Sequence, residues 1–401
     1  MIKCVFTLTG LLLTAGLTLA GDWPQFRGPA ASGVADEKNL PSSWGPMENV
    51  LWKAEIPGRS VSSPVVAAGK VYLASASGVR NDKLNVVCID ANTGKQLWQR
   101  QLQATGNTGC HPKSSMAAPT PVANAEGVFV LFATADLVSF DKDGNLRWYR
   151  SLTGDYPAIA NQVGMASSPI LSGNTLIVPM DSDGESFLAA LDSRDGKNLW
   201  KVERPKDINW VTPALRQAKG KTEVLFNSRL GMTAYDVANG NKIWTFSTEG
   251  STIPTPVMMD DQVLMTGRGL VCLKPKEDAN PEVIWTSAKL SSGSCTPLIY
   301  KDLIYNVTGA GVLVCGDKTG KELWQERLKK GKYWASPIAA DGKVFAFSDE
   351  GVTTVVQASG EKAEVLATND LKEEIMGTPA IANGAIYIQT VKALYCIGMK
   401  K

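Results

Sequence analysis

Few side chains in this sequence are of the types that catalyse reactions or bind metals. Among its 401 residues His111 is the single histidine, which excludes a metal site with several histidines and leaves one imidazole as a base. No serine or carboxylate stands near His111 at a spacing typical of a nucleophilic triad, although triads form in space rather than in sequence. We therefore predict no catalytic residue, and a ligand-binding role for His111 stays open.

The densest acidic cluster is Asp-Ser-Asp-Gly-Glu at residues 181–185. Its alternating carboxylates and glycine superficially resemble a calcium loop, but the cluster lacks the full ligand pattern of such a loop. A tight, solvated hairpin turn is the favoured interpretation. The sequence thus predicts no metal site.

Aromatic and cationic side chains ahead of repeated prolines indicate binding rather than catalysis. Trp210 and Trp334 each stand three residues before a proline, where an indole near a channel axis either stacks on a planar ligand or plugs the channel. Cations on the same face would suit a polycarboxylate ligand, whereas solvated loop charge is the simpler interpretation. These cations are Arg59, Lys113, Arg229, Arg268 and Lys332. The candidate ligand-binding residues are Arg59, His111, Lys113, Trp210, Arg229, Arg268 and Trp334.

The composition indicates a folded globular chain with no electrostatic preference for nucleic acid. The net charge is +2, with 44% hydrophobic and 20% charged residues. Residues 1–20 combine Lys3, an apolar stretch and small residues before Gly21, which predicts a secretory signal peptide cleaved after Ala20. We expect the mature chain to be periplasmic or secreted and to have no membrane span.

The elements that would position the candidate residues are visible as a repeat. Eight Ser/Thr-Pro dipeptides, each followed by an apolar run, recur with their prolines 40 to 57 residues apart. They are Ser63-Pro64, Thr120-Pro121, Ser168-Pro169, Thr212-Pro213, Thr255-Pro256, Thr296-Pro297, Ser336-Pro337 and Thr378-Pro379. A second motif, Asp-x-x-Thr-Gly-Lys-x-Leu-Trp at residues 90–98, returns with variations in later units.

Each part of the repeat has a structural reason. Proline suits the first residue of a strand, an aspartate and a glycine support a tight hairpin turn, and the terminal tryptophan fills the seam between adjacent sheets. Each unit therefore predicts four short strands, and units of this length are typical of propeller blades. We predict an all-β fold, an eight-bladed β-propeller of four-stranded blades. For the ring of Ser/Thr hydroxyls, local backbone bonding is favoured over ligand binding.

The two ends of the chain are predicted to close the ring. The last unit lacks its Trp-bearing strand, and an orphan copy of that strand, Leu51-Trp52, precedes the first unit. We expect this N-terminal strand to complete the last blade beside residues 393–397, which leaves no open sheet edge. The predicted organisation is a signal peptide at 1–20, an extended N-terminal arm at 21–48 and a single propeller domain at 49–401.

Six cysteines follow the predicted signal peptide, but their positions argue against a disulfide framework. Four of them share one position on the third strand of their units, where equivalent residues of different blades are too far apart for a bridge. They are Cys88, Cys272, Cys315 and Cys396. We expect them to be small buried side chains, and we expect no pairing of Cys110 with Cys295 either.

The recurrent Leu-Asp-x-x-Thr-Gly-Lys-x-Leu-Trp pattern resembles the pyrroloquinoline quinone (PQQ)-like repeat, the tryptophan-docking motif of quinoprotein dehydrogenases. The opening Asp-Trp-Pro-Gln-Phe-Arg-Gly-Pro at residues 22–29 resembles the start of secreted PQQ-binding-like propeller repeat proteins. At repeat level the chain is also similar to the propeller lipoprotein of the outer-membrane barrel assembly machine, although no lipid-acceptor cysteine is present here. The resemblance implies a propeller scaffold. It does not carry the quinoprotein chemistry, because the adjacent cysteine pair and the calcium carboxylates of those enzymes find no match here.

Two functions follow from these observations, and a hydrolase, lyase or carbohydrate-active role on the same scaffold stays open behind them. The first is a non-enzymatic, extracytoplasmic scaffold that engages a protein, an envelope component or a small ligand through the loop face around the channel. The alternative, implied by the resemblance, is a PQQ- and calcium-dependent quinoprotein oxidoreductase. The sequence favours the first and predicts no cofactor firmly.

Overall fold

The computed structural model describes residues 21–160, 164–276, 279–329 and 331–400, and the predicted signal peptide at 1–20 lies outside them. Across these residues the strands assemble into eight antiparallel sheets of four, and each sheet is one blade. The eight-bladed, all-β propeller predicted from the repeats is confirmed.

The strands are numbered in chain order. The first, β1 (Val50–Glu55), precedes blade 1. Blades 1 and 2 contain β2 (Val65–Ala67), β3 (Lys70–Ser77), β4 (Lys83–Asp90) and β5 (Gln96–Gln103), then β6 (Val122–Asn124), β7 (Gly127–Leu131), β8 (Asp136–Asp141) and β9 (Leu146–Ser151). Blades 3 and 4 contain β10 (Ile170–Ser172), β11 (Thr175–Met180), β12 (Phe187–Asp192) and β13 (Asn198–Glu203), then β14 (Ala214–Ala218), β15 (Lys221–Ser228), β16 (Gly231–Asp236) and β17 (Lys242–Ser247).

The second half of the ring repeats this order. Blades 5 and 6 contain β18 (Val257–Met259), β19 (Gln262–Thr266), β20 (Leu270–Lys276) and β21 (Ala279–Ser287), then β22 (Leu298–Tyr300), β23 (Leu303–Val307), β24 (Val312–Asp317) and β25 (Glu322–Arg327). Blades 7 and 8 contain β26 (Ile338–Ala340), β27 (Lys343–Phe347), β28 (Val352–Gln357) and β29 (Val365–Asp370), then β30 (Ala380–Ala382), β31 (Ala385–Gln389), β32 (Ala393–Ile397) and β1. The described residues also include a 3-10 turn (Pro29–Ala31) and α1 (Leu152–Asp155).

Within each blade the chain runs from the axis outward. The first strands of neighbouring blades contact one another, as β2 does with β6 and with β30, so the strands that follow the Ser/Thr-Pro dipeptides surround the axis. Among these first strands β2, β26 and β30 are fully buried, whereas an outermost strand such as β17 buries mainly its tryptophan, Trp244. The repeat prolines therefore stand where the chain enters the crowded centre of the ring, a place where a missing N–H is tolerated.

Tryptophans of the outermost strands join most blades to the next, and the outermost strand of blade 7, β29, contains none. Trp98 of blade 1 lies against Gly144 in a turn of blade 2, and its Nε1–H donates to the Lys142 carbonyl at 3.2 Å. A Cβ on Gly144 would lie 2.7 Å from the indole, and the glycine has a φ of +82°, so the turn requires glycine on both grounds. The same type of indole bond to the following blade is made by Trp52, Trp148, Trp200, Trp285 and Trp324.

The ring closes as predicted, through strands from opposite ends of the chain. Strand β1 pairs antiparallel with β32, with Trp52 opposite Cys396 and Glu55 opposite Ala393. Trp52 then donates to the Ala91 carbonyl of blade 1 at 3.1 Å, so the closing strand also makes the inter-blade contact seen elsewhere. Strand β32 therefore has a paired strand on both of its edges, β31 and β1.

The segment before β1 crosses the side of the ring opposite to the Ser/Thr-Pro loops. Trp23 is fully buried and exchanges two 2.8 Å backbone hydrogen bonds with Val66 of blade 1. Further along, Glu37 accepts a hydrogen bond from the backbone N–H of Gly384 in blade 8. These contacts place the segment over the turns between the first and second strands of the blades.

Two residues of this segment enter the lower end of the channel. Phe26 lines the channel, and Arg27 beside it has no exposed surface. The Arg27 guanidinium donates to the carbonyls of Thr296, Pro297 and Pro337, between blades 6 and 7. The N-terminal segment thus occupies one end of the channel, and the other end opens toward the loops that carry the candidate binding residues.

The six described cysteines are unpaired. Each of the four third-strand cysteines lies opposite the tryptophan of the adjacent outer strand, in the pairs Cys88–Trp98, Cys272–Trp285, Cys315–Trp324 and Cys396–Trp52. Their burial beside an indole fits the predicted role as small apolar side chains. No helix among the described residues has the length and apolar character needed to cross a bilayer.

Candidate functional site

The residues that precede the eight repeat prolines by three positions converge at the open end of the axis. They are Val61, Ala118, Ala166, Trp210, Ile253, Ser294, Trp334 and Met376. Seven of them line a cavity of about 380 Å³, here called the mouth cavity, together with His111 and Lys113. All eight also line a smaller cavity of about 130 Å³ beneath it, the channel cavity, with Phe26 among the lining residues.

The two indoles form the flat walls of the mouth cavity. Trp210 is fixed by two hydrogen bonds, from its Nε1–H to the Gly164 carbonyl at 3.0 Å and from its backbone N–H to the Thr252 carbonyl at 2.8 Å. The Nε1–H of Trp334 is buried and has no acceptor among the described residues. Because the other ring positions in this cavity are small or aliphatic, the surface offered to a ligand is mainly apolar.

A buried ion pair lies behind Trp210. The side chain of Arg204 is 2% exposed and that of Asp181 is 3% exposed, and their Nε and Oδ1 atoms are 2.7 Å apart. The Nδ2 group of Asn209, the neighbour of Trp210, donates to Asp181 Oδ2 at 3.0 Å and to the Asn227 carbonyl at 2.8 Å. This network fixes the backbone that carries the indole.

The predicted solvated turn at residues 181–185 is therefore wrong at Asp181. The turn packs against the loop that follows β13, which removes this carboxylate from water and gives it Arg204 as a partner. Burial alone would lower the pKa of Arg204, but Asp181 more than compensates and raises it, so the guanidinium stays charged. The sequence signal that was available, an aspartate at the end of a strand, did not indicate which cation would pair with it.

A long loop between blades 1 and 2 brings Lys113 to the far side of the mouth. Its Nζ lies 2.8 Å from Glu374 Oε1 and 3.5 Å from Asp349 Oδ2. Arg59 reaches the same carboxylate, with its Nη1 3.4 Å from Glu374 Oε2. The two cations are thus neutralised by carboxylates of blade 7 and of the loop that leads into blade 8.

The pKa shifts at this rim reflect the same contacts. The hydrogen bond to Glu374 raises the pKa of Lys113 above its usual range. Partial burial would raise the pKa of Glu374, but the hydrogen bond from Lys113 and the charges of Arg59 and Lys113 lower it overall. Both partners are therefore charged at neutral pH, and the rim presents a paired rather than a free cation.

His111 lines the mouth cavity but is exposed. Its Nδ1 accepts the backbone N–H of Lys113 at 3.1 Å, so this ring nitrogen stabilises the local turn. No carboxylate or hydroxyl among the described residues is within hydrogen-bond distance of the ring. The arrangement gives His111 a place at the rim and no partner for acid–base chemistry.

The remaining predicted cations do not join the mouth cavity. Arg229 pairs with Asp207 at 3.1 Å and Arg268 with Glu249 at 2.6 Å, both in loops away from the lining residues. Lys332 stands beside the mouth, where its backbone N–H donates to Asp349 Oδ1 at 2.9 Å. The structure thus brings together Trp210, Trp334, His111 and Lys113, with Arg59 behind them, and leaves Arg229 and Arg268 outside.

Beneath the mouth, the Ser/Thr-Pro hydroxyls form a ring that links blade to blade. The Ser63 N–H donates to Thr120 Oγ1 at 3.1 Å, and the Thr120 N–H donates to Ser168 Oγ at 2.9 Å. Six of the eight junctions in the described chain carry this bond; the other four donors are Ser168, Thr255, Thr296 and Ser336. The favoured prediction of local bonding is therefore corrected, because the acceptor lies one blade away.

Some residues of the site had no signal in the sequence. Glu374 and Asp349 lie 261 and 236 positions from Lys113, outside the repeat pattern that located the ring. Phe26 and Arg27 belong to the opening motif, but nothing in it indicated insertion into the channel. A carboxylate next to a predicted rim position, as in Glu374 two residues before Met376, is the one clue that was available.

The residues at the mouth do not fit PQQ with calcium. To bind a tricarboxylate, a site needs cations that are not already paired with carboxylates of the protein. Carboxylates already pair with four of the candidate cations, Arg59, Lys113, Arg229 and Arg268. The rim carboxylates Glu374 and Asp349 are in turn used by Lys113 rather than gathered into an oxygen cage. Across the part of the chain that the structure describes, no group of His, Cys, Asp and Glu has the arrangement of a metal site.

The fold and the inter-blade tryptophans define the chain as a propeller of PQQ-like repeats. Residues 47–178, 85–318 and 309–397 match the profile of the family described as outer membrane protein assembly factor BamB, and the chain belongs to that family. The resemblance to PQQ-like repeat proteins found in the sequence is confirmed.

Similarity to curated proteins covers both a scaffold and enzymes. The chain is 24% identical over 375 residues to the outer membrane protein assembly factor BamB of Burkholderia pseudomallei (strain K96243), covering 90% of this chain and 81% of that protein. It is 22% identical over 378 residues to a polyvinylalcohol dehydrogenase of Sphingopyxis sp. (strain 113P3), covering 80% of this chain. The chain spans about half of that dehydrogenase, 52% of its length.

Solved structures share the fold at low sequence identity. BamB from Moraxella catarrhalis superposes with a TM-score of 0.64 at 16% identity, covering 88% of this chain and 97% of that one. Quinohemoprotein alcohol dehydrogenase from Comamonas testosteroni gives a TM-score of 0.72 at 13% identity, covering 96% and 82%. At these identities the similarity establishes the propeller and no more.

Proposed function

We propose that this chain is a non-enzymatic, extracytoplasmic scaffold that binds a protein of the cell envelope through the loop face around the mouth cavity. The observation that carries the proposal is the mouth cavity itself, in which Trp210 and Trp334 flank an apolar surface and the cations Arg59 and Lys113 are already paired with carboxylates. Such a surface suits an uncharged apolar segment of a partner, held between two rigid aromatic side chains.

Membership of the BamB family supports the scaffold interpretation, since the family description names an assembly factor of the outer membrane. The predicted signal peptide supports an extracytoplasmic location. The dehydrogenase relatives keep the quinoprotein alternative as an outcome for experiment, although the paired rim charges argue against it. Binding of another envelope component, or of a small planar ligand, in the same cavity is a further outcome of the experiment.

The test uses affinity capture followed by binding with the purified partner. Tagged protein is incubated with an envelope extract, the captured partner is identified, and its Kd is measured for the wild type and for Trp210→Ser combined with Trp334→Ser. Loss of two aromatic anchors costs about 2 kcal/mol or more, so we expect the Kd to rise at least about tenfold.

A matched control changes a residue of the same loop face that does not line the mouth cavity. Leu230→Ser removes a 60% exposed leucine from another loop of the same face, and it should leave the Kd unchanged. Equal binding by the tryptophan variant, or no stoichiometric partner at all, would contradict the proposal. Calorimetry with PQQ and calcium, followed by dye reduction with alcohols, tests the alternative; tight binding there would overturn the scaffold function.

A further inference from the structure

The channel cavity is walled by hydroxyl groups with protons to donate. Seven side chains of the Ser/Thr-Pro ring line it, and each is at least 96% buried: Ser63, Thr120, Ser168, Thr212, Thr296, Ser336 and Thr378. Six of these oxygens already accept a backbone N–H from the preceding blade. None of the seven hydroxyls donates to another described residue, so their O–H groups remain available inside the cavity.

A buried cation stands next to this ring. Arg27 is fully buried, and its five N–H donors are all used by carbonyls, including that of Thr296, whose own hydroxyl lines the cavity. No carboxylate among the described residues pairs with the Arg27 guanidinium. The ionisable group that interacts with its charge is the thiol of Cys295. Burial raises the pKa of Cys295 to about 12, so that thiol is neutral and gives no counter-charge.

Burial also lowers the pKa of Arg27 to about 9, which still leaves the guanidinium charged at neutral pH. A buried charge without a partner is costly, and carbonyl dipoles disperse it without neutralising it. Thr296 connects Arg27 to the channel cavity, because its carbonyl accepts a hydrogen bond from the guanidinium while its side chain lines that cavity, and Phe26, the residue before Arg27, lines it too.

We propose that the channel cavity binds a small monovalent anion, such as chloride, on the inward hydroxyls of the Ser/Thr-Pro ring and in the field of Arg27. The hydroxyls supply the hydrogen bonds and the guanidinium supplies the charge, so a cation is disfavoured although hydroxyl oxygens are able to bind one. A cavity of about 130 Å³ has room for a small anion, and one negative charge is enough to balance the single charge of Arg27. This site lies beneath the surface assigned to the partner, and the two cavities share seven ring residues, Trp210 and Trp334 among them.

Bromide is the probe, because it is similar to chloride and is visible by anomalous diffraction. The purified protein is heated in buffers of fixed ionic strength in which gluconate, too bulky for the cavity, is replaced by bromide up to about 0.3 M. Specific binding should raise the Tm by about 2 °C. General salt effects act in the opposite direction, because bromide is less excluded from protein surfaces than gluconate.

Two variants separate the site from overall stability. Thr296→Val removes one inward hydroxyl and should lose at least half of the bromide-dependent rise in Tm, whatever its own Tm. Thr255→Val is the matched control, since Thr255 has the same place in the repeat but is not among the residues that line the channel cavity, and it should keep the rise.

Diffraction from crystals in bromide tests the location directly. We expect one anomalous peak within the hydroxyl ring of the wild type and none in Thr296→Val. An unchanged Tm in bromide, an equal rise in Thr296→Val, or water alone in the ring would each overturn the proposal.

Discussion

The carboxylate of Asp181 and the guanidinium of Arg204 show how single buried residues determine the geometry of the mouth. Two charges have been removed from water, which is favourable only because both are hydrogen-bonded and the second aspartate oxygen also accepts Asn209. Asn209 immediately precedes Trp210, so this ion pair determines the position of the indole. A change at Asp181 should therefore affect both stability and partner binding.

Asp181→Asn should lower the free energy of unfolding by about 3–5 kcal/mol, because it leaves the charge of Arg204 buried and unpaired. Urea denaturation with an unchanged m-value measures the effect. Asp192→Asn is the control: its partner Arg194 is 68% exposed, and the loss of free energy there should be much smaller. A cost for Asp181→Asn as small as that of the control would show that the buried pair contributes little.

Glu374 gives a pH-dependent contribution at the rim. Its pKa lies below the usual 4.5, so the stabilisation from Lys113 and Arg59 is fully present above about pH 4.5 and is lost as the pH falls through the lowered value. Both cations are partly exposed, which limits the gain to about 1 kcal/mol or less. Glu374→Gln should lower the Tm by about 1–2 °C at pH 6 and by less at pH 3, since the interaction is lost as Glu374 becomes protonated.

Thermal unfolding of the two proteins at both pH values measures that difference. Glu126→Gln, which removes an exposed partner of Arg147 away from the mouth, serves as the control for a general effect of charge. A gap between wild type and Glu374→Gln that is the same at pH 3 and pH 6 would contradict the assignment.

Among the elements, the outer strands contribute through their tryptophans, and blade 5 shows what happens when the receiving turn is missing. Trp200 donates to the Val237 carbonyl of the next blade at 2.8 Å, whereas the buried Nε1–H of Trp244 has no acceptor among the described residues. The sequence of blade 5 lacks the Asp-Thr-Gly turn that would receive Trp244. The indoles of Trp200 and Trp244 therefore pack in the same way, but only that of Trp200 donates a hydrogen bond to a described residue.

Replacing each of these tryptophans with phenylalanine separates the two contributions. Trp200→Phe should cost about 1 kcal/mol more than Trp244→Phe, because only the first leaves a buried carbonyl without its donor. The free energies of unfolding of the two variants, measured in urea, give the comparison directly. Equal costs, or a larger cost at Trp244, would mean that ring packing alone determines the docking energy.

The repeat made the blades predictable, and residues outside it were not. Pro64 and its seven equivalents marked the strands that reach the axis, so the ring that contains Trp210 and Trp334 followed from counting back three positions. Arg27 contacts carbonyls 269 to 310 positions away, and no periodicity encodes such a contact. Asp181 and Lys113 found their partners in neighbouring loops, whose paths depend on packing between blades rather than on local sequence.

At the scale of the whole molecule, the segment of the chain before blade 1 performs two tasks at opposite places in the ring. Residues 21–49 cross the lower side and insert Phe26 into the channel, and β1 then completes blade 8. The closing contact joins Val50 to Ile397 by strand pairing, with no disulfide among the described residues. Backbone hydrogen bonds and Trp52 make this contact, and we predict that they close the ring independently of the segment that enters the channel, although that segment also contacts blades 1 and 8.

This independence is testable by moving β1 to the other end of the chain. Deleting residues 21–55 should expose the edge of β32 and cause concentration-dependent association, because an unpaired strand is a template for another chain. Appending residues 50–55 after the C-terminus through a short glycine-rich turn should restore a monomer, since Val50 already lies opposite Ile397 in an antiparallel pair. Light scattering coupled to size-exclusion chromatography measures both states. If the transplanted strand left the protein associated, the segment at 21–49, and not the strand, would be what holds the ring closed.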